Sequence, residues 1–330
     1  MRKLLLWSFL ALFLLMSALT GYRLMLAPQT PPQPFSYQLK PGTSLSQVAA
    51  ELEIFGVLKT SLSLKLLAKL NRLGGRIQSG TYRFSEAASP ETVLARLISG
   101  DVEKASLTIP EGFSLAQIVD RMAALGYADR QKLLDLAYDP AFIKSLKINA
   151  DSLEGYLFPE TYLFTPGVDE SALLRMLVEE FRDNISAELL EKAENLQLNL
   201  HQLVTLASII EKETGKTAEM PLISAVFHNR LRLGIPLQTD PTVIYGIENF
   251  DGNLTRKHLV TPTPYNSYLR KGLPPGPIAS PGLAALRAAA APADSDYLYF
   301  VSRGDGSHQF SRTLSEHNQA VRQYQLNRRH

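Results

Sequence analysis

The stretch ASIIEKET, Ala207 to Thr214, places two glutamates at the end of a helical run that opens near His201. Counting about 100° per residue from Leu203, the side chains of Leu206, Ala207 and Ile210 share one apolar stripe, with Val204 and Ile209 at its edges. Lys212 points away, and Glu211 and Glu213 fall at roughly +80° and −80° from the stripe, so two carboxylates border an apolar face. Glu213 has Ile209 and Ile210 one turn behind it, whereas Glu211 has the smaller Ala207, so Glu213 is the more desolvated of the two. A glutamate at its ordinary pKa of about 4.3 is protonated in roughly 0.2% of molecules at pH 7, and a shift to about 6 raises that to roughly 10%. Such a group is a general acid. Periodicity alone leaves open whether both are solvated helix-end glutamates.

Other polar clusters stand apart in sequence. EGYLFPETYLF, Glu154 to Phe164, sets Glu154 and Glu160 among aromatic residues, a composition suited either to stacking on sugar rings or to a buried turn. In PLQTDPTVIYG, Pro236 to Gly246, Asp240 stands before Pro241 as the N-cap of a short helix closed by Gly246, with Gln238 two residues earlier. Thr261 to Gly282 is a proline-rich loop holding Tyr265, Asn266 and Tyr268, too rich in aromatic and amide side chains to be read as disordered. His308 and His317 lie nine residues apart across a strand and a helix start, with no HExxH or CxxC pattern, so no metal site is expected. There is no cysteine, no glycine-rich phosphate loop and no GxSxG elbow, which argues against thiol chemistry, P-loop phosphoryl transfer and the α/β-hydrolase triad.

The elements that must position these groups follow from the rest of the chain. With 330 residues, 45% hydrophobic, the chain is long enough for at least two cores. A formal net charge of +2, without a dense basic run before Arg328 and Arg329, disfavours nucleic acid as a partner. Arg2 and Lys3 precede an uncharged apolar run, residues 4–22, about 29 Å long as a helix, which reads as an uncleaved anchor (1–23) in the lipid bilayer with a cytoplasmic N-terminus, a cleaved signal peptide with Ser17, Ala18 and Thr20 near its end being the alternative. Residues 24–35, with Pro28, Pro31, Pro32 and Pro34, form an extended spacer.

From Ser36 the pattern is strand, two helices, strand GTYRFSE, then a helix from Ser89-Pro90 to Gly100: a small module over 36–101. In its first helix Val48, Leu52 and Phe55 form the apolar face. Residues 102–330 form a larger mixed α+β domain. Helices follow Ser114, span about Arg130–Tyr138 and cover 171–196, and Pro221 opens one that ends at Gly234 with His228, Asn229 and Arg232 on its polar face. The C-terminal part reads as a helix from Ser280-Pro281, the hairpin YLYFVSR–GDG–HQFSR, and a last helix from about Ser315.

Taken together, KPGTSLSQVA, SGTYRF, EGYLFPETY, ASIIEKET, HNRLRLGIPLQTDPTVIYG, TPTPYNSYLRKGLPPGPIASPG, YLYFV and SEHN resemble the endolytic murein transglycosylases, the MltG or YceG-like family. The resemblance covers nearly the whole chain. It implies an α+β fold with a single-pass anchor in the bacterial inner membrane, a LysM-like module over 36–101 and a periplasmic catalytic domain over 102–330. It also implies Glu213, the second acid of EKET, as the catalytic residue, acting without a cofactor on the MurNAc-β-1,4-GlcNAc bond within strands to leave 1,6-anhydroMurNAc ends. Gln238, Asp240, Tyr265, Asn266, Glu160 and Glu211 are the expected substrate-binding residues; peptidoglycan strands are the expected partner, and peptidoglycan synthases such as penicillin-binding proteins accompany them. The competing readings are a non-catalytic glycan-binding scaffold and a muramidase that hydrolyses with two carboxylates.

Overall fold

Several helices in this chain begin where a short polar side chain can accept from an amide that has no intrahelical partner. Ser44, Thr60 and Ser89 accept in this way from Gln47, Leu62 and Thr92, and Pro90 adds a preset φ at the first position of its helix. The computed structural model describes residues 2–326, the side chains of residues 2–6 and 8 lying outside that description. Two units divide the chain, Met1–Ser106 with Leu163–Gly167, and Leu107–Tyr162 with Val168–His330.

The first unit opens with α1 (Arg2–Met25). Among the described residues no helix is long and apolar enough to cross a membrane; the side chains of Arg2, Lys3 and Leu4–Leu6, on which the expected anchor partly rests, are outside them. After the proline-containing segment come β1 (Phe35–Leu39), α2 (Leu45–Ile54), α3 (Ser61–Leu70), β2 (Gly80–Phe84), α4 (Pro90–Ser99) and β3 (Ala105–Thr108), the last of which runs into the second unit. β1 and β2 pair antiparallel, Phe35 opposite Phe84 and Leu39 opposite Gly80. Alternation puts Tyr37, Leu39, Tyr82 and Phe84 inside, where they meet Val48, Leu52, Leu64 and Leu97 from the helices. Gly100, at φ 68, closes α4 in the left-handed conformation. Phe55 is not in this core: it is 46% exposed and its ring lies 4.8 Å from that of Phe35.

The second unit continues through α5 (Leu115–Ala124), α6 (Arg130–Tyr138) and α7 (Pro140–Ser145) to the first half of β4 (Thr161–Phe164), whose last two residues belong to the first unit. Near its start the amide of Ile109 donates to Glu160 O at 2.9 Å, and the Thr108 and Thr161 hydroxyls are 3.0 Å apart. Next come α8 (Glu170–Asn184), α9 (Ala187–Asn195), α10 (Leu200–Glu213), α11 (Met220–Leu233), α12 (Asp240–Tyr245), α13 (Arg256–Val260) and α14 (Leu283–Ala290). The hairpin β5 (Tyr299–Ser302) and β6 (His308–Ser311) and the helix α15 (Leu314–Val321) complete it, Tyr299 facing Ser311 across the ladder.

α10 is the hub of this unit, packed against α9, α11, α12 and α14. Every residue from Leu203 to Ile210 is buried, including Thr205 and Ser208. The stripe expected from periodicity is therefore only part of its buried surface. Thr205 and Ser208 satisfy themselves by donating to the helix carbonyls of His201 and Thr205, and Ser208 also accepts from Ile278 N. Burying Leu203, Leu206, Ile209 and Ile210 contributes about 1.5–3 kcal/mol each. A helix anchored this firmly presents its last residue, Glu213, in a fixed place.

Candidate active site

Glu213 is the C-terminal residue of α10, and the following Thr214 turns into extended backbone at φ −146. Its carboxyl lines a cavity of about 440 Å³ whose other walls include Arg230, Gln238, Asp240, Tyr268 and Tyr299. Burial pushes its pKa up to about 7; the hydrogen bond from Thr239 works against that rise and the negative charge of Asp240 adds to it. The Thr239 hydroxyl donates to Oε1. Oε2 has no protein partner among the described residues and is not sealed from the cavity. Near neutral pH such a carboxyl passes between its protonated and ionised forms, as a group that gives and takes a proton must.

The wall opposite is a strained segment held by hydroxyls. Gln238 sits at φ 54, a left-handed value uncommon for a residue with a Cβ. This twist lets Gln238 N donate to Ser267 O at 3.0 Å and Thr239 N donate to Ser267 Oγ at 3.0 Å. Thr242 Oγ1 donates to Thr239 O at 2.8 Å and lies 2.7 Å from Ser267 Oγ. Asp240 does not cap α12 as expected; Thr239 occupies the cap position, and Asp240, the first helical residue, is free to face the cavity. There its Oδ1 accepts from the Tyr268 hydroxyl at 2.6 Å. Arg230, nearly buried, ties the wall together by donating to Leu298 O at 2.7 Å and Leu237 O at 2.8 Å, with its guanidinium 5.1 Å from the Tyr299 ring centre.

Residues 37–323 match the YceG-like family. The chain belongs to that family. A Bacillus subtilis relative named endolytic murein transglycosylase is 32% identical over 299 residues, 86% of this chain and 82% of that protein. A Streptococcus pneumoniae protein of the same name is 29% identical over 320 residues, 86% of this chain but only 57% of that longer relative. The crystal structure of a YceG-like protein from Listeria monocytogenes superimposes with a TM-score of 0.61 at 32% identity, covering 87% of this chain and 98% of that one.

In this YceG-like chain the expected site residues separate into groups. Glu213, Gln238 and Asp240 share one cavity. Glu211 is turned elsewhere: its Oε2 accepts from Gly282 N at 3.0 Å, and burial and the nearby Glu111 raise its pKa, so it too is desolvated beside the smaller Ala207. Glu160 is exposed and its Oε1 accepts from the neighbouring Thr161 amide, lining none of the cavities described here. Asn266 is fully buried, its Nδ2 donating to the carbonyls of His258, Leu259 and Thr261 while Oδ1 accepts from Tyr268 N, so it organises the proline-rich loop rather than a groove wall. Tyr265 lines a different cavity, of about 260 Å³, beside Glu154 and Asp151.

That second cavity contains a carboxylate the sequence did not distinguish. Glu154 is 4% exposed and burial pushes its pKa to about 7 as well. Both of its oxygens are engaged, by Leu115 N at 3.0 and 3.1 Å and by the Tyr245 hydroxyl at 3.1 Å. Tyr156, Phe158 and Tyr162 around it are core residues, which removes the sugar-stacking reading of that segment, and its last residues form β4 rather than an irregular turn. Gly155, at φ 82, is required here because a Cβ would come within 2.5 Å of Pro277 and 3.0 Å of Val204.

A larger groove, about 1850 Å³, carries the polar face of α11. Its groups are already committed: His228 Nε2 lies 2.8 Å from Ala289 O, Asn229 Nδ2 donates to Ser295 O at 2.9 Å, and Arg232 donates to Asn229 at 3.0 Å. Arg230 and Thr239, which the periodicity did not single out, meet at the Glu213 site with Tyr268, His308 and His317 through contacts between distant segments. The motif HNRLRLGIPLQTDPT contained two of them, but no spacing rule pairs a threonine with a glutamate 26 residues away.

Proposed function

We propose that this protein is an endolytic peptidoglycan lytic transglycosylase that cleaves the MurNAc-β-1,4-GlcNAc bond within glycan strands and leaves 1,6-anhydroMurNAc ends. The observation that carries the reading is Glu213: a carboxyl titrating near 7, one oxygen held by Thr239, the other open to a cavity sized for part of a sugar chain. The names of the Bacillus and Streptococcus relatives support it.

In this mechanism Glu213 gives its proton to the glycosidic oxygen as the C1–O4 bond breaks, so the GlcNAc side leaves as an alcohol. The muramyl C6 hydroxyl then bonds to C1 and returns its proton to the Glu213 carboxylate. Atoms balance without water, and one residue serves as acid and then base. Asp240, at the rim of the same cavity, contributes negative charge where positive charge develops at C1. Gln238 is the proposed hydrogen-bonding contact to sugar hydroxyls beside it, and Tyr265, from its separate cavity, a more distant one.

Residues 36–101, within the first unit, are proposed as a LysM-like glycan-binding module, supported by the strand pair and packed helices there. α1 is proposed as a single-pass inner-membrane anchor, supported by the exposure of Trp7, Phe9, Leu12, Phe13 and Leu15. Tethered there, the periplasmic domain meets nascent strands, and peptidoglycan synthases are the proposed neighbours. Because Asp240 shares the cavity with Glu213, hydrolysis by two carboxylates is the second reading. Mass spectrometry of muropeptides after incubation of purified protein with murein and chelator separates them. Anhydromuramyl ends are expected; reducing muramyl ends establish the hydrolase, and intact strands leave only a glycan-binding scaffold.

A further inference from the structure

We infer that Thr239 is the positioning residue that decides which oxygen of Glu213 carries the transferable proton. The inference rests on the transglycosylase reading of Glu213 and goes beyond it, to the device that aims the acid.

The geometry is specific. A protonated carboxyl has one O–H and one carbonyl-like oxygen, and only the first delivers a proton. The Thr239 hydroxyl donates to Oε1, making Oε1 the acceptor and placing the proton on Oε2. Oε2 is the oxygen that faces the cavity without a protein partner among the described residues. If the threonine were absent, either oxygen would carry the proton and the carboxyl would be free to turn about its last torsion, which is broad and nearly two-fold.

Thr239 is itself held from several sides. It is 2% exposed, its amide donates to Ser267 Oγ and its carbonyl accepts from Thr242 Oγ1. The strained Gln238 immediately before it sets the direction of that segment. Among the described residues Glu213 provides the only hydrogen-bond partner of the Thr239 side chain, although the same protein supplies backbone acceptors to the hydroxyls of Thr205, Ser208 and Thr242. A merely structural threonine in this setting would be expected to bond the backbone in the same way.

The bond also serves the second half of the reaction. Once the proton has left, the hydroxyl continues to donate to Oε1, now to a full charge, and such bonds are roughly twice as strong as neutral ones. It thereby stabilises the carboxylate that must wait for the C6 hydroxyl. The other charged or titratable groups around Glu213 are Asp240 at the head of α12, Tyr268 in the following loop, Arg230 on α11, Tyr299 and His308 on the β5–β6 hairpin and His317 on α15. None of them is hydrogen-bonded to the Glu213 carboxyl.

The test compares the full chain in detergent with Thr239→Val and Thr239→Ser on purified murein, following anhydromuramyl ends against pH. Valine keeps the shape and removes the donor; serine keeps the donor. Thr239→Val is expected to lower kcat about ten- to a hundredfold with KM within about twofold, and to move the alkaline limb of the profile upward, because a donor that favours the carboxylate has gone. Thr239→Ser is expected to restore both the rate and the position of the limb. A valine variant with the parental limb and rate, or a serine variant as impaired as valine, overturns the inference. If Thr239→Val does not fold, the serine variant decides, since a positioning hydroxyl survives that change and a packing methyl does not. Failure of the parental protein to form anhydromuramyl ends would instead refute the transglycosylase reading itself.

Discussion

Two glutamates of the second unit are raised by burial into the same range and are suited to different tasks. Burial drives both Glu154 and Glu213 to about 7. Glu154 spends both oxygens on the first amide of α5 and on Tyr245, so it is a cap for one helix and a tether for the end of α12. Glu213 spends one oxygen on Thr239 and keeps the other toward a cavity. A perturbed pKa marks a desolvated acid; an unoccupied oxygen beside open space marks an acid that can act.

The sharpest break between them is expected from glutamine. Glu213→Gln should lower kcat on murein at least 10² to 10⁴-fold, about 3–5 kcal/mol of barrier, with the thermal melt nearly unchanged. Glu154→Gln should leave kcat within about threefold, as measured by release of anhydromuramyl ends. Truncation reverses the ranking on stability. Glu154→Ala strands the buried Leu115 amide and the part-buried Tyr245 hydroxyl and should cost about 1–3 kcal/mol in denaturant unfolding, whereas Glu213→Ala should cost less because Oε2 has no partner to lose. An Asn266→Ala variant belongs with Glu154: it leaves the part-buried carbonyls of His258, Leu259 and Thr261 short of a donor and should lower stability by about 1–3 kcal/mol.

Stability should also depend on pH in a defined direction. The folded-state pKa of Glu154 is raised from 4.5 to about 7, so the folded protein holds this proton where the unfolded chain has released it. Its contribution is fully present below about 4.5 and is lost as pH rises through about 7, and Glu213 contributes with the same sign. The melting temperature should therefore fall between these values, and less steeply in Glu154→Gln, which has no proton to lose. The smallest effect is reserved for Glu211→Gln: an amide oxygen can still accept from Gly282 N, so activity should stay within about threefold. A dead Glu211→Gln beside an active Glu213→Gln would mean that the other flank of α10 is the working one.

Where local chemistry sets the structure, the sequence was readable. Ser114 before α5, Pro221 at the start of α11 and Gly234 after it are signals that act within one turn. The flank of α10 that carries the more desolvated glutamate was readable for the same reason, since Ile209 and Ile210 lie one turn behind Glu213. The burial of Glu154 was not readable, because the donors that make it tolerable lie 39 and 91 residues away. Asn266 and Glu160 illustrate the same limit from the other side. Both stood among plausible sugar-binding types, and only tertiary contacts reveal one as a loop brace and the other as an exposed strand-edge residue.

The most direct test of the difference between the two glutamates is the pH dependence of kcat for anhydromuramyl formation, measured in the parental protein and in Glu154→Gln. The parental rate should fall as pH rises through about 7, because Glu213 loses the proton it must donate, and Glu154→Gln should leave that limb in place. A rate that stays level to about pH 9, well above the range in which a carboxyl near 7 titrates, or a limb that vanishes in Glu154→Gln, would contradict the assignment of Glu213 as the acid.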